Sequence, residues 1–426
     1  MDLAPAVRGV SIVAGETAPP SATTPFHAFA PALGHELPQA YWAATPSDVA
    51  QAAEAARRAF DSFRAAPPGV RAALLEAIAQ QLLDLATPLV EIAQAETGLA
   101  AGRVRGEFDR TVNQTRLFAQ VIRDGHWVEA VIDHGNPARQ PLPKPDVRRM
   151  LLPLGPVAVF GASNFPLAYS TAGGDTTSAL GAGCPVVVKG HPLHPGTGEL
   201  AAIAIARAVA ACGLPAGVFS FLHAGGVRDL QVGTELVAHA AIRAGGFTGS
   251  LTGGTALARI AAGRPDPIPF FAEMGSTNPV FILPQALHTR GAAIAATLAA
   301  SFTGSAGQFC TCPGFVFVVR GADADAFVTA LAGGAQAVAP QPMLSPRHRT
   351  AWSTRVGEMG RHADVIPLMP PVDDAGSVRR RSCARRSKRC GGIRHCATSA
   401  SARRSSWWTA LHPMTLRLRH RKSRGR

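Results

Sequence analysis

Apolar residues recur at helical spacing through the first third of the chain and in short strand-like runs after it. From Thr45 the pattern turns helical, with Ser47 or Asp48 placed to cap a helix over 49–60. A second helix is expected over 69–86, a third opened by Pro88 and ending near Thr97-Gly98, and a fourth over 102–124. Residues 1–45, rich in Pro, Ala and Thr, read as extended edge structure. Residues 133–146, with Pro137, Pro141, Pro143 and Pro145, read as a loop or exposed hairpin connection at a subdomain boundary.

Beyond that boundary strands and helices alternate. Strands are expected at 157–160, 185–189, 218–222 and within 240–247, with helices over 198–212 and from 249–250 onward. This rhythm points to a parallel sheet covered by helices. A strand at 279–283, a helix over 289–302 and a strand at 315–319 suggest a second α/β unit.

Composition adds a globular core, since 47% of the 426 residues are hydrophobic and 16% charged. No apolar run reaches the roughly 18 residues of a membrane span, and the N-terminus lacks the pattern of a signal peptide. The expected location is therefore cytoplasmic. The 7 cysteines, sparse and odd in number, fit reduced thiols. The net charge of +14 belongs to one segment. Residues 377–426 hold 14 Arg and 2 Lys without an acid, leaving 26 basic against 28 acidic residues elsewhere. The globular part thus gives no sign of a nucleic-acid or membrane partner.

Three segments carry chemistry. Cys310 lies among small and polar residues in Ala306-Gly-Gln-Phe-Cys310-Thr, just after an apolar helix. Such a thiol suits a nucleophile, although alone it could be an inert small apolar residue, and Cys312 is a rival. Asn164, in Gly161-Ala-Ser-Asn164-Phe-Pro166, can offer a side-chain amide to an oxyanion; alone it would be a turn residue. Glu273, in Glu273-Met-Gly-Ser-Thr-Asn-Pro279, can serve as a general base; alone it would be a solvated carboxylate. Together they suit aldehyde oxidation: thiolate addition, an oxyanion held by fixed donors, hydride departure, and hydrolysis of the resulting thioester.

In that combination the chain resembles the aldehyde dehydrogenase superfamily over about residues 8–376. Its spellings are most similar to the α-ketoglutaric semialdehyde (2,5-dioxopentanoate) dehydrogenase branch. The resemblance implies an α/β fold with a variant Rossmann cofactor domain and an α/β catalytic domain. The expected division is an N-terminal helical part at 1–132, an oligomerisation-type hairpin at 133–154, a dinucleotide-binding domain at 155–270, an incomplete catalytic domain at 271–376, and a basic segment at 377–426. It also implies that Cys310, Glu273 and Asn164 carry the three catalytic roles, with the Cys310 backbone N–H as second oxyanion donor. Alternatives are an inactive remnant and a dehydrogenase that passes the thioester to coenzyme A; Glu273 favours hydrolysis.

No G-x-G-x-x-G follows a strand. Gly249 and Ser250 would instead bring a helix N-terminus to a phosphate, unless Ser250 is an ordinary cap. Lys189 matches the family lysine that contacts the adenosine ribose. Where NAD-preferring relatives often carry a glutamate three residues later, this chain has Pro192. Lys189 or His191 could then attract a 2′-phosphate, so NADP or NAD is the expected cofactor. No metal is expected. For an oxo-acid substrate, Arg110 or Arg116 could bind the carboxylate, although each could be a solvated helix arginine. Phe165 and Tyr169 could line the aldehyde tunnel or pack in the core.

The family's later Glu-x-Phe-Gly-Pro segment and its C-terminal oligomer strand have no counterpart here. A homo-oligomer is expected only with that part intact, and the chain as written is expected to be poorly folded or inactive. For 377–426, three readings stand: a reading-frame error, favoured by the loss of acids after Asp374; a disordered basic tail; and a nucleic-acid or metal module.

Overall fold

In the computed structural model five parallel strands lie side by side in the order Phe270–Glu273, Ala244–Thr248, Val157–Phe160, Val186–Lys189, Phe219–Leu222. The antiparallel pair Ile12–Val13 and Glu16–Thr17 extends the last edge. The structure describes residues 7–20, 24–362 and 365–368, with three further short strands, Ser377–Val378, Cys383–Arg386 and Ile393–Ala397.

The central strands are buried on both faces, which is why they read as unbroken apolar runs. Val186 and Val188 join one core with the helices Pro68–Asp84, Ala101–Asp124 and Pro195–Ala211. Val187, pointing the other way, joins a second core with the helices Pro46–Arg64, Asp229–Ala238 and Leu251–Ala262. The chain enters at Val157–Phe160, steps outward twice, then returns to the opposite side with Ala244–Thr248. Val157–Phe160 and Ala244–Thr248 are thus neighbours whose connections leave in opposite directions. In open α/β sheets the crevice beyond the carboxyl ends of such a pair is where ligands bind.

A third core joins the parallel strands Pro279–Ile282 and Phe315–Val319 to the helices Pro284–Thr303 and Ala322–Gln336. The helix begins at Pro284 rather than near 289, because proline is well suited to the first helical turn.

Three other expectations are corrected. The cap of the first helix is Thr45, not Ser47 or Asp48. Its Oγ1 accepts from Asp48 N at 3.2 Å while Asp48 Oδ2 accepts from Thr45 N at 2.7 Å, a capping box around Pro46. The third helix starts at Ala86, ahead of Pro88, and ends on Gly98 at φ 64°. The fourth sheet strand starts at Ala244, because Arg264 takes the carbonyls of Val237, Ala240 and Ile242 and holds that segment as a turn. The pattern missed the strand Phe270–Glu273 and the helices Gly174–Ala182, Asp229–Ala238, Ala322–Gln336 and Pro346–Gly360. The first 45 residues include the hairpin of Phe26–Ala30 and His35–Tyr41. Residues 133–146 connect the paired strands Val131–Asp133 and Val147–Arg149.

No amphipathic period marks the chain after about 377, yet Ile393–Ala397 pairs antiparallel with Phe315–Val319, and Cys383–Arg386 pairs with Ile393–Ala397 and Val365–Pro367. Phe315–Val319 would otherwise present an edge of unpaired backbone groups, and backbone pairing needs no side-chain periodicity. The other residues of 377–426, and the three readings of that segment, lie outside the described residues. Among the described residues no single helix is long and apolar enough to cross a membrane, and no group of three or more His, Cys, Asp or Glu is placed to hold a metal.

Candidate active site

A cleft of about 400 Å³ opens at the crevice between the two switch-point strands, large enough for a small molecule. Residues 162–165, 248–250, 273–274 and 306–311 line it, together with Tyr169, His348 and Trp352. A larger cavity of about 760 Å³ lies between the hairpin at 12–17 and the helix Pro195–Ala211. It contains none of the candidate residues that the smaller cleft brings together.

The loop after Val157–Phe160 brings Asn164 to the cleft. Gly161 begins it, and there a Cβ would lie 2.6 Å from Ser170 Oγ and 2.7 Å from Ser170 Cα, so only glycine lets the returning chain approach. Ala162 N donates to Tyr169 O at 2.8 Å and closes the loop. Asn164 Nδ2 donates to the Gln308 carbonyl at 2.6 Å. A carboxamide carries two N–H donors, so a second remains for an oxyanion.

Cys310 follows the helix Pro284–Thr303 through a tight turn in which Ser305 and Ala306 have φ of 50° and 53°. Left-handed conformations of non-glycine residues cost about 1–3 kcal/mol each and persist only where the surroundings fix them. Here Ala306 N donates to Gln341 Oε1 at 3.1 Å, and Gln308 Oε1 accepts from Leu344 N at 3.0 Å. Asn278, itself at φ 43°, donates to the Cys310 carbonyl at 2.6 Å and the Cys312 carbonyl at 2.9 Å. This clamp was missed by sequence reasoning, although Asn278 lies in the Glu273–Pro279 run. Its signal was an asparagine, tolerant of left-handed backbone, just before a proline. Cys310 is partly exposed in the cleft. Cys312 is buried, its Sγ directed at the carbonyls of Ser301 and Phe302, and it does not line the cleft.

Glu273 ends its strand at the cleft, side chain exposed, with its carbonyl accepting from Gly249 N at 3.0 Å. Ser250 caps the helix Leu251–Ala262 by accepting from Gly253 N at 3.1 Å. Lys189, ending the neighbouring strand, donates to Asp229 Oδ1 at 2.5 Å. His191 and His194 stack with ring centroids 5.1 Å apart. Burial holds His191 well below the usual histidine range, helped by His194 and Lys189, and brings His194 down to about 4.

Neither substrate-arginine candidate lines the cleft itself, but one touches a residue that does. Arg110 stacks over Tyr169 at 4.9 Å and hydrogen-bonds its hydroxyl. Tyr169 meets Phe165 edge-on at 5.1 Å, and both rings line the cleft. Arg116 lies 3.9 Å from Glu76 on the outer side of the helix and does not reach the cleft.

Residues 18–357 match the aldehyde dehydrogenase family. The chain belongs to that family. It is 51% identical over 337 residues to α-ketoglutaric semialdehyde dehydrogenase 2 of Azospirillum brasilense, covering 79% of this chain and 63% of that protein. It is 48% identical over 302 residues to α-ketoglutaric semialdehyde dehydrogenase of Acinetobacter baylyi, covering 71% of this chain and 56% of that protein. Among solved structures, the NAD-dependent benzaldehyde dehydrogenase of Corynebacterium glutamicum superposes with a TM-score of 0.75 at 22% identity, covering 89% of this chain and 80% of that one. The aldehyde dehydrogenase fold of this chain is therefore the α/β arrangement anticipated from its motifs.

Proposed function

We propose, against the expectation that the chain as written is inactive, that it oxidises an aldehyde to a carboxylic acid with NADP or NAD, through a thiohemiacetal and a thioester on Cys310. The observation that carries this reading is that Cys310, Asn164 and Glu273, far apart in sequence, line one cleft at the switch point of the sheet. The Cys310 thiolate adds to the aldehyde carbon. The second N–H of Asn164 and the Cys310 backbone N–H hold the oxygen as it becomes negative. A nicotinamide held at the cleft would supply the acceptor for the hydride that leaves this carbon. Glu273 then takes a proton from the water that attacks the thioester, giving the acid and restoring the thiol. A base at the cleft favours hydrolysis over transfer to coenzyme A.

The donor set fits a dinucleotide: a helix N-terminus capped by Ser250, preceded by Gly249, and the Lys189 ammonium at a strand end. Those three residues would hold it. Pro192 offers no carboxylate against a 2′-phosphate, whereas Asp229 beside Lys189 does. NAD is therefore expected to be used alongside NADP, and the ratio of kcat/KM for the two measures it.

The substrate favoured is 2,5-dioxopentanoate, giving 2-oxoglutarate. Its support is the identity to the two semialdehyde dehydrogenases and the position of Arg110 behind Tyr169. The exposed Leu142, Leu152 and Leu154 of the 131–154 arm support a homo-oligomer in which a second copy covers them, even without the C-terminal oligomer strand. A panel of aldehydes with each cofactor, run beside Cys310→Ser, tests the proposal. Turnover of the oxo-acid semialdehyde, absent in the variant, is expected; turnover retained by Cys310→Ser would end this reading.

A further inference from the structure

One residue outside the cleft touches both halves of this centre. Arg103 lies in the first turn of the helix Ala101–Asp124, its side chain only 18% exposed. It pairs through Nη1 with Glu107 one turn on. Its Nη2 donates to the Asn164 carbonyl at 3.1 Å. Its guanidinium lies over Phe165 at 4.5 Å and over Phe309 at 5.0 Å. Phe165 follows Asn164 and Phe309 precedes Cys310 in the chain. The two rings face each other with centroids 5.5 Å apart.

Glu107 completes the arrangement. Its side chain is 1% exposed, and its Oε1 accepts from Leu167 N and Ala168 N, each at 2.9 Å. The Arg103–Glu107 pair thereby fixes the Asn164 loop at both ends. A buried ion pair is weak evidence of stabilisation, since an apolar pair of similar volume often does as well. Arg103 Nε is also buried without a hydrogen-bond partner, which costs stability rather than adding to it. What the pair does supply is geometry: a flat fork hydrogen-bonds in its plane while stacking on aromatic faces, and the compact ammonium of lysine has no plane with which to do both at once.

We infer that Arg103 is a positioning residue that holds the oxyanion donor and the nucleophile in register, acting through the Asn164 carbonyl and the Phe165–Phe309 pair. The inference rests on the catalytic roles proposed for Asn164 and Cys310. It assigns Arg103 no contact with substrate, and Arg103 does not line the cleft.

The test combines kinetics with a readout independent of activity. Arg103→Met removes the fork and keeps the stem; Arg103→Lys keeps the charge alone. Arg105→Met, at an exposed neighbour paired with Asp109, is the control. Misplacement by about 1 Å can cost about 100-fold in rate. Arg103→Met is therefore expected to lower kcat by about 10- to 100-fold with KM changed less than about threefold, and Arg103→Lys to recover little of it. In an Asn164→Ala background the further loss from Arg103→Met should shrink to about threefold or less, since interacting residues are not additive. Amide hydrogen exchange should show lost protection in both 163–169 and 305–311, with other segments and the control unchanged.

Equal losses in both backgrounds, protection retained in either loop, or protection lost across the whole molecule would each overturn the inference. If the parent protein turns over no aldehyde, the proposed reaction fails, while exchange at the two loops still decides what Arg103 does. If Arg103→Met does not fold, Arg103→Lys is read by the same criteria.

Discussion

Two asparagines divide the work around one thiol. Asn164 reaches across to the Gln308 carbonyl, and Asn278 gathers the carbonyls of Cys310 and Cys312. The first is motif-borne and was legible in the sequence. The second was not, because its role depends on a loop that returns to it in space. The same holds for Arg103, whose partners lie 61 residues away at Asn164 and beyond at Phe309. Asn278→Ala leaves two carbonyls without their donor and frees a strained turn. It is expected to lower kcat by about tenfold or more, with helical circular dichroism unchanged. Arg110, held against Tyr169, is predicted to recognise the distal carboxylate of the substrate. Arg110→Met should raise KM for 2,5-dioxopentanoate about tenfold or more and leave KM for an uncharged aldehyde within about twofold, as expected when a charged hydrogen-bond partner is lost. Equal effects on both substrates would remove Arg110 from that role.

At the scale of elements, the helix Pro195–Ala211 is anchored by two titrating groups. Glu96, fully buried, accepts from Gly196 N, Thr197 N and Thr197 Oγ1 at 2.8, 2.9 and 2.7 Å. Burial pushes its carboxyl up to about 7 even though the Thr197 and Gly196 donors pull the other way. Its protonated form is favoured by folding, so its contribution is present below about 4.5 and is lost as pH rises towards 7. His194 at the helix cap has the opposite sign. Burial lowers it to about 4 from 6.5, so its contribution is present above 6.5 and is lost as pH falls towards 4. Glu96→Gln leaves only the second of these. The stability of the variant relative to the parent, from urea unfolding, should therefore rise with pH between about 4.5 and 7. A flat difference would mean that Glu96 titrates alike in both states. None of this was readable from the sequence, since the partners of Glu96 lie about 100 residues on in the chain. Helices with a strong apolar stripe were readable. Gly174–Ala182 and Asp229–Ala238 were not, being short, with no long periodic pattern to mark them.

At the scale of the molecule, the parallel sheet, its coverage by helices and the second α/β unit were legible, because alternation of strand and helix survives in one sequence. The order of the strands was not, since it depends on how the chain returns, and the switch point that locates the cleft came only with the structure. Large apolar side chains remain uncovered around the second unit: Phe271 is 66% exposed, Phe281 69% and Leu283 70%. Phe281, on the outer strand of its sheet, Pro279–Ile282, stacks at 4.7 Å on Phe317 of the neighbouring strand. Such a surface is prone to association. Phe281→Ser should lower light scattering of concentrated protein severalfold; unchanged scattering would show that this face stays separate in solution.

The Gln308 carbonyl that receives Asn164 follows a helix of one core, Pro284–Thr303, whereas the Asn164 loop follows a strand packed into others, Val157–Phe160. The reaction centre is thus a seam rather than an interior, and its upkeep obeys the rules of docking. Two bodies that each retain their own cores can part by a fraction of their contact before either melts. Mild chaotrope should then silence the thiol chemistry while ellipticity is still native, and dilution of the chaotrope should restore it at the speed of re-docking, without waiting for either body to refold.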